Sequence, residues 1–359
     1  MTKRKSVCFL VLFFLILTFL LEGCKVHTNP EKPAADAQQS GTEENEGLKN
    51  EPPATPEELS PFTGLPASEI FNRPYAIIIE NERAARPQAG LQEAELVYEA
   101  PAEGGITRFL AFFISPFEGD IGPVRSARPY FAYLADEYDG ILAHCGYSIH
   151  TVAVLADLKL KHINEIPNPL YYKRLKSRKM PHNLYTSLPM LATGAEKFNY
   201  LQGSPPADFF PFAEHEKPAE IVSSIALTFN SRNSVEYRWN PQGTYTRYND
   251  GSLFIDSNHG KPVEVKNIII QLVNTRIFTE EGHLEITLLG EGKGFFFSGG
   301  NIKEIKWEKD SYSEKTRFSG VDGSDLRLAP GNTWIHLLPQ SGKVEWQMEK
   351  NPEQNKGGV

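Results

Sequence analysis

The sequence predicts two folded domains: a mixed α/β domain of α+β class over residues 61–202, and a mostly β domain, sandwich- or barrel-like, over 220–348. Three observations predict this. From Tyr75 to Leu160, apolar runs of strand length are mixed with stretches of helical spacing. Beyond Ile221 only short apolar runs occur, separated by turn signals. Between them, Gln202–Pro218 holds four prolines, Gly203 and Glu214-His-Glu216, the composition of a linker, placed here at 203–219.

In the first domain, Tyr75-Ala-Ile-Ile-Ile-Glu80 is a buried strand by its β-branched run. Leu96–Ala100 and Ile106–Ile114 are two more, joined through Pro101-Ala-Glu-Gly-Gly105; paired glycines between apolar runs signal a hairpin. Pro129 to Asp139 carries Tyr130, Phe131, Leu134 and Tyr138 at helical spacing. Ile141–Ala143 is a short strand, and Ser148 to Leu160 a second helix. In the second domain the predicted strands are Ile221–Phe229, Val263–Val273, Leu284–Leu289, Phe295–Phe297, Trp334–Leu338 and Val344–Met348. Asn249-Asp-Gly251, Ser298-Gly-Gly-Asn301, Asp322-Gly323 and Pro330-Gly331 supply turns. Residues 349–359 read as a disordered tail.

The amino terminus carries an address. Lys3, Arg4 and Lys5 precede an uncharged, apolar run of 16 residues, Ser6 to Leu21, and then Leu21-Glu-Gly-Cys24. A charged start, a short apolar core and small residues before a cut describe a secretory signal over residues 1–23. Cys24 behind Gly23 makes it a lipoprotein signal, with its thiol accepting the lipid. The run is short of the roughly 20 residues a membrane-spanning helix needs, and two or more acyl chains give a stable anchor. The expected location is the extracytoplasmic face of the cell membrane. Residues 24–60 then read as a tether, with eight acidic side chains against Lys25, Lys32 and Lys49, a composition that self-repels and stays extended.

Cys8 leaves with the signal and Cys24 carries lipid, so Cys145 alone remains and no internal disulfide is expected. Without Lys3, Arg4, Lys5 and Glu22, the 37 basic and 45 acidic side chains become 34 and 44, and the net charge moves from −8 to −10. That field disfavours nucleic acid and anionic headgroups as general partners. An anion would have to be met by a local cluster of arginines.

Gly122-Pro-Val-Arg125-Ser-Ala-Arg128-Pro-Tyr130 offers such a cluster. With Ser126 as N-cap and Pro129 in the first turn, Arg125 and Arg128 stand at the positive end of a helix, where cations are disfavoured unless something negative compensates. That anion is either a phosphate- or carboxylate-bearing ligand or the protein's own Glu99 or Glu103. Arg108 falls on the same strand face as Leu110, Phe112 and Ile114, and an arginine there needs a partner or a cavity. Glu103 sits in the hairpin turn. His144 ends a strand, near the edge where open α/β sheets bind ligands, and is alternatively a satisfied structural histidine. Cys145 beside it reads as packing. Arg178, Lys179, His182 and Asn183 concentrate donors that form either a second wall to the anion site or a solvated basic loop. Trp239, Tyr245, Trp307, Trp334 and Trp346 fit a β core, with glycan stacking the alternative. No His-Glu-x-x-His, spaced cysteine pair, P-loop or Gly-x-Ser-x-Gly motif is present, so the sequence implies no metal and no cofactor.

Five segments carry a resemblance: Ser60-Pro-Phe-Thr-Gly-Leu65, Arg86-Pro-Gln-Ala-Gly90, Glu103-Gly-Gly-Ile-Thr-Arg-Phe109, Gly122–Arg128 and Pro181-His-Asn-Leu-Tyr185. Together they resemble the YerB-like family of bacterial lipoproteins, and Asn332-Thr-Trp-Ile335 resembles that family's separate C-terminal domain. The resemblance spans about 58–340. It implies a mixed α/β first domain and a β-rich second one, and supplies no activity. The leading expectation is an envelope protein that binds an anionic ligand through Arg108, Arg125 and Arg128, with Glu99, Glu103, His144, His182 and Asn183 lining the pocket. The alternatives are an envelope hydrolase or transferase acting on a glycan or polyprenyl phosphate, with Glu103 or His144 as acid or base, and a scaffold for other envelope proteins.

Overall fold

Six consecutive buried residues, Tyr75–Glu80, form strand β1, and the same pattern recurs in β2, Leu96–Pro101, and β3, Thr107–Phe113. Strands buried on both faces must lie inside a sheet that is covered on both sides. A computed structural model shows that sheet; it describes residues 58–204, 209–216, 218–280 and 282–352. Cys24 and most of the tether lie outside the described residues.

Further along, the N-terminal domain contributes α1, Pro129–Glu137; β4, Ile141–His144; α2, Ile149–Asp157; β5, His162–Asn164; and α3, Leu188–Lys197. The C-terminal domain contributes β6, Glu220–Asn230; β7, Asn233–Trp239; β8, Tyr245–Asn249; β9, Asn267–Val273; and β10, Gly290–Ser298. It ends with β11, Asn301–Lys309; β12, Arg317–Gly320; β13, Thr333–Pro339; and β14, Lys343–Lys350.

The two domains share one ten-stranded mixed sheet, in the order β12-β11-β10-β9-β13-β2-β3-β1-β4-β5. The join is the parallel pairing of β13 with β2, Thr333 opposite Leu96 through His336 opposite Glu99. The C-terminal domain is β-rich as expected, but part of it joins the N-terminal sheet. Five C-terminal strands, β9 to β13, extend the N-terminal sheet, and β6, β7, β8, β14 with the short Ser252–Leu253 and Glu264–Val265 strands form a separate sheet. The physical reason lies in burial. All seven residues of β13 and all six of β2 are inaccessible. Left as an edge, β2 would present unpaired backbone groups, and β13 is the strand that covers them.

Side chains alternate between two cores. Tyr75, Ile77 and Ile79 of β1 enter the core that holds Ile225 and Leu227 of β6, Tyr237 of β7 and Leu191 of α3. Ala76 and Ile78 enter the core that holds Phe131 and Leu134 of α1 and Leu155 of α2. The second sheet thus packs on one face of the mixed sheet and α1 and α2 on the other. The protein is mostly β, and the two domains form one compact unit. The linker stretch is stitched down where it is described: Ala213 N–H donates to the Leu328 carbonyl at 2.9 Å and Phe209 N–H to Pro61 at 3.3 Å. β14 runs through Lys350, two residues past the expected domain end.

Candidate functional site

β1, β2, β4, β5, β9 and β13 all run in one direction, by parallel pairing or through a shared antiparallel neighbour. Their carboxyl ends define one edge of the sheet. Glu80 closes β1, Glu99 is near the end of β2, and His144 closes β4. The β1–β2, β2–β3 and β4–α2 connections leave or enter these strand ends, and the Gly122–Arg128 segment is held beside them, Glu80 N–H donating to the Pro123 carbonyl at 2.9 Å, Arg125 N–H to Ile78 at 2.9 Å and Val124 N–H to Leu184 at 2.7 Å.

Glu103 stands in the β2–β3 turn, whose Gly104 and Gly105 have φ of 76° and 75°, a region a side chain rarely adopts. Its carboxylate receives Arg128 Nε in a short charged hydrogen bond, Arg128 NH2 at 3.0 Å, and Arg108 NH2 at 3.2 Å. Two guanidiniums thus share one carboxylate. Arg108 also donates to the Ser126 carbonyl at 3.2 Å and Arg128 to its neighbour Ala127 at 2.8 Å. Burial works to raise the Glu103 carboxyl, but the Arg128 hydrogen bonds and the charges of both arginines hold it below the ordinary value. Arg108 is lowered by burial first and by the Arg128 charge second. Its Nε is buried with no partner among the described residues.

Arg128, not Ser126, occupies the N-cap position of α1, and it makes no side-chain cap bond. The expected Ser126 cap is corrected, while Pro129 does stand at the start of the helix. The cation at the positive helix end is compensated by Glu103, one of the two carboxylates the sequence offered.

Arg125 pairs elsewhere, with Glu80 Oε1 at 2.9 Å. Glu80 is 1 % exposed and also meets His182 Nδ1 at 2.9 Å, while His182 Nε2 lies 3.3 Å from Glu82. The donor atoms of Glu80, Glu82 and His182 lie within 4.8 Å of one another, as a metal set would. In this arrangement the His182 imidazole stands between the two carboxylates and the Arg125 guanidinium meets the first, so side chains of the protein itself already occupy the space.

Glu99 does not line a pocket. It is fully buried, accepts from Thr107 Oγ1 at 2.6 Å and Asn81 Nδ2 at 3.2 Å, and pairs with Arg247 NH2 at 2.8 Å. His336 Nδ1 lies 3.2 Å away without hydrogen-bond geometry. Burial would raise Glu99, and Arg247, His336 and Thr107 outweigh it to hold the carboxyl at about 2. Arg247 is itself fully buried, donates to Tyr237 Oη at 2.7 Å, and lies 4.6 Å from the Trp334 ring centre. The pair is a strut between β2 and β8.

His144 is corrected likewise. It is inaccessible, with Nδ1 2.8 Å from the Gly146 carbonyl and Nε2 3.0 Å from His162 Nδ1. A proton on Nδ1 satisfies the carbonyl and leaves Nε2 to accept from His162. Burial pushes it down to about 4 and keeps it neutral. Cys145 Sγ donates to Glu165 at 3.2 Å, and burial together with that carboxylate pushes its thiol up to about 11. Asn183 accepts from Arg174 at 3.2 Å, and Arg178 clasps the carbonyls of Ala85 and Pro87. Arg178 and Asn183 are thus braces of the loop. Tyr245, Trp307 and Trp334 are core residues at 0–3 % exposure.

Sequence reasoning missed Glu80, Arg247 and Asp250. Asp250 receives Arg86 at 2.8 Å and Arg83 at 3.3 Å across the domain seam. A signal existed for Arg247: along Tyr245-Thr-Arg-Tyr-Asn249 it alternates in phase with Tyr245, toward the core.

Comparison with known proteins follows this geometry. Residues 62–201 match the family described as "Protein of unknown function (DUF3048) N-terminal domain", and residues 225–335 match the corresponding C-terminal domain. YerB of Bacillus subtilis (strain 168), a protein whose name calls it a lipoprotein, is 35% identical over 301 residues, covering 81% of this chain and 89% of its own. The crystal structure of the Bacillus subtilis YerB protein superposes with a TM-score of 0.71 at 34% identity, covering 80% of this chain and 100% of the other.

Proposed function

Because this chain belongs to the YerB-like family of two-domain proteins, we propose that it is a lipid-anchored protein on the extracytoplasmic face of the membrane. We further propose that it binds an anionic, phosphate- or carboxylate-bearing envelope ligand at the Glu103–Arg108–Arg128 cluster. The anchor reading rests on Cys24 behind its short apolar run and on the relative's name. Among the described residues no helix is long and apolar enough to cross a membrane. Replacing Cys24 with Ser moves the protein from the membrane fraction to the soluble fraction of cells. Full retention of Cys24→Ser in membranes overturns the anchor.

The observation that carries the ligand reading is the sharing of one carboxylate by two nearly buried guanidiniums, Arg108 and Arg128, with side chains 8% and 10% exposed. A buried excess of positive charge is costly unless a counter-ion meets it, and Arg108 Nε is itself buried with no partner among the described residues. Arg125 adds to the same positive field, lowering Arg108 further. The internal pairing of each arginine is also what a scaffold role would show. Glu103→Gln separates the two readings. If the cluster binds anions, removing its own carboxylate tightens inorganic phosphate binding several-fold by calorimetry. If the arginines are only struts, Glu103→Gln lowers the unfolding midpoint and phosphate still does not bind.

A further inference from the structure

Between Glu165 and Glu196 the chain carries Lys173, Arg174, Lys176, Arg178 and Lys179 and no acidic residue, in a protein whose 45 acidic side chains outnumber its 37 basic ones. Exposed apolar side chains concentrate around the same stretch. Among the described residues, four of the five most exposed large apolar side chains are Ile149, Ile166, Leu170 and Met180, at 68–85% exposure. The fifth, Ile277, is next to Phe278, whose ring centre lies 4.8 Å from that of His150 in α2.

Three connections at the carboxyl-end edge of the sheet carry these side chains. Ile149 opens α2 just past β4, Ile166 and Leu170 follow β5, and Met180 lies in the hairpin whose strands are Lys173–Arg174 and Leu184–Tyr185. A Cβ on Gly146 would meet Ile166 Cδ1 at 3.4 Å and Ser126 Oγ at 3.6 Å, so Ile166 lies beside the Arg125–Arg128 segment. Glu165 ties the connections together, accepting from Cys145 at 3.2 Å and from Arg174 at 3.1 Å. The hairpin is braced by Leu175 N–H, which donates to the Asn183 carbonyl at 2.8 Å, and by the Arg178 clasp on Ala85 and Pro87. Its cations are not all consumed. Lys173 pairs with Asp120 and Arg174 with Glu165. Lys176 and Lys179 are exposed and form no ion pair among the described residues.

We propose that this rim is the face with which the protein rests on an anionic bilayer, Ile149, Ile166, Leu170 and Met180 entering the headgroup region and Lys176 and Lys179 meeting lipid phosphates. Apolar side chains standing singly on separate connections do not make the contiguous packed core of a protein interface, whereas a bilayer accepts them one by one between cationic neighbours. The negative charge of the whole chain disfavours such a surface in general, so the stretch without acidic residues selects the edge that approaches it. The lipid proposed on Cys24 supplies the partner. The stretch from Cys24 to Glu58 can span at most about 120 Å, at roughly 3.5 Å per residue. It enters the fold at the opposite edge, where Ser60 Oγ donates to Glu95 at 2.7 Å just ahead of β2. A six-residue strand is only about 20 Å long, so the rim stays within reach of the membrane. Tethering raises the effective concentration of the surface, and a contact too weak to hold a free protein still orients an anchored one. The proposal rests on the anchor reading for its partner and not on the ligand reading.

The test is sedimentation of the compact unit Ala54–Val359, which holds every described residue and carries neither signal nor lipid. Vesicles of phosphatidylglycerol mixed with phosphatidylcholine are compared with vesicles of phosphatidylcholine alone. The expected result is salt-sensitive binding to the mixed vesicles at millimolar lipid and none to the neutral ones. Binding is about fivefold weaker in each of Lys176→Gln and Lys179→Gln, and at least about fivefold weaker in each of Ile166→Ser and Met180→Ser. Unfolding midpoints are unchanged, because all four side chains are exposed. Lys293→Gln, exposed on β10, leaves binding as it is. Absence of binding to the mixed vesicles, equal binding to both kinds, or binding that the four rim variants leave intact overturns the proposal. Equal weakening by Lys293→Gln also overturns it, in favour of a diffuse charge effect. A dimer in vesicle-free solution that Ile166→Ser and Met180→Ser dissociate assigns the rim to a second copy instead. Binding lost in a folded Arg128→Gln but kept in the rim variants places the lipid at the Glu103 cluster and rejects the rim. A contact this weak does not survive washing, so Cys24→Ser still leaves the membrane fraction and the anchor reading fails or stands separately.

Discussion

Replacing Arg247 with Met leaves the Glu99 carboxylate in the core with its charge partner gone. Removing one member of a fully buried ion pair typically costs about 3–5 kcal/mol, most of it the desolvation of the orphaned charge. Both side chains are 0% exposed, so solvent offers no screening. A pH signature follows from the same pair. In the folded wild type Glu99 is held at about 2 against an ordinary 4.5. A folded value below the unfolded one contributes stability that is complete above 4.5 and is lost as pH falls toward 2. At about 1.4 kcal/mol per pH unit, wild type loses about 2 kcal/mol from this group between pH 4.5 and pH 3. In Arg247→Met the remaining dominant influence on Glu99 is burial, which raises it, so the variant protonates Glu99 in the folded state and does not suffer that loss. Urea unfolding at pH 7 and pH 3 measures both effects. The expected deficit of Arg247→Met is at least 3 kcal/mol at pH 7, by the buried-pair range, and narrows by about 2 kcal/mol at pH 3. A deficit under about 1 kcal/mol at pH 7, or one of equal size at both pH values, refutes the assignment of this pair as the strut between β2 and β8.

His144, held at about 4, shows no ring titration by NMR between pH 5 and 8. Because its folded value lies below the unfolded one, it contributes stability that is lost as pH falls from 6.5 toward 4, and a ring shift titrating near 6.5 contradicts the burial argument. Cys145, pushed up to about 11, alkylates with iodoacetamide at pH 8 on the order of 100-fold more slowly in the folded protein than in urea, since the thiolate fraction falls tenfold per unit; equal rates in both states reject its inert environment.

Much of the N-terminal domain was legible because its signals are local. The apolar run at Tyr75–Glu80, the glycines after Glu103, and Pro129 ahead of Tyr130 and Phe131 each act within a few residues. The strands Asn233–Trp239 and Asn301–Lys309 escaped because one face carries charge, and alternation such as Ile302-Lys-Glu-Ile-Lys-Trp307 lacks a continuous apolar run. The shared sheet was not legible at all. A parallel pairing between Leu96 and Thr333 leaves no short-range trace, since parallel neighbours need no turn between them. At the candidate site, the types and segments of the residues were readable, including Glu103 as one of two carboxylates offered to Arg125 and Arg128. What was not readable was occupancy: that Glu99 would be spent on Arg247 and His144 on His162 depends on strands that only the fold brings into register.

The placement of β13 has a consequence for how this chain comes into being. Strand 333–339 sits in the middle of the mixed sheet, yet it is among the last segments to be delivered in an amino-to-carboxyl order. Until it arrives, β2 has an open edge, and β9 through β12 have nothing to join. The first two hundred residues therefore cannot complete their sheet ahead of the rest, and a chain truncated before Thr333 exposes a long apolar strand edge that recruits other chains. Maturation is set by the arrival of the carboxyl-terminal hundred residues, so premature stops and proteolytic clipping near the end are expected to be as damaging as lesions in the first strand.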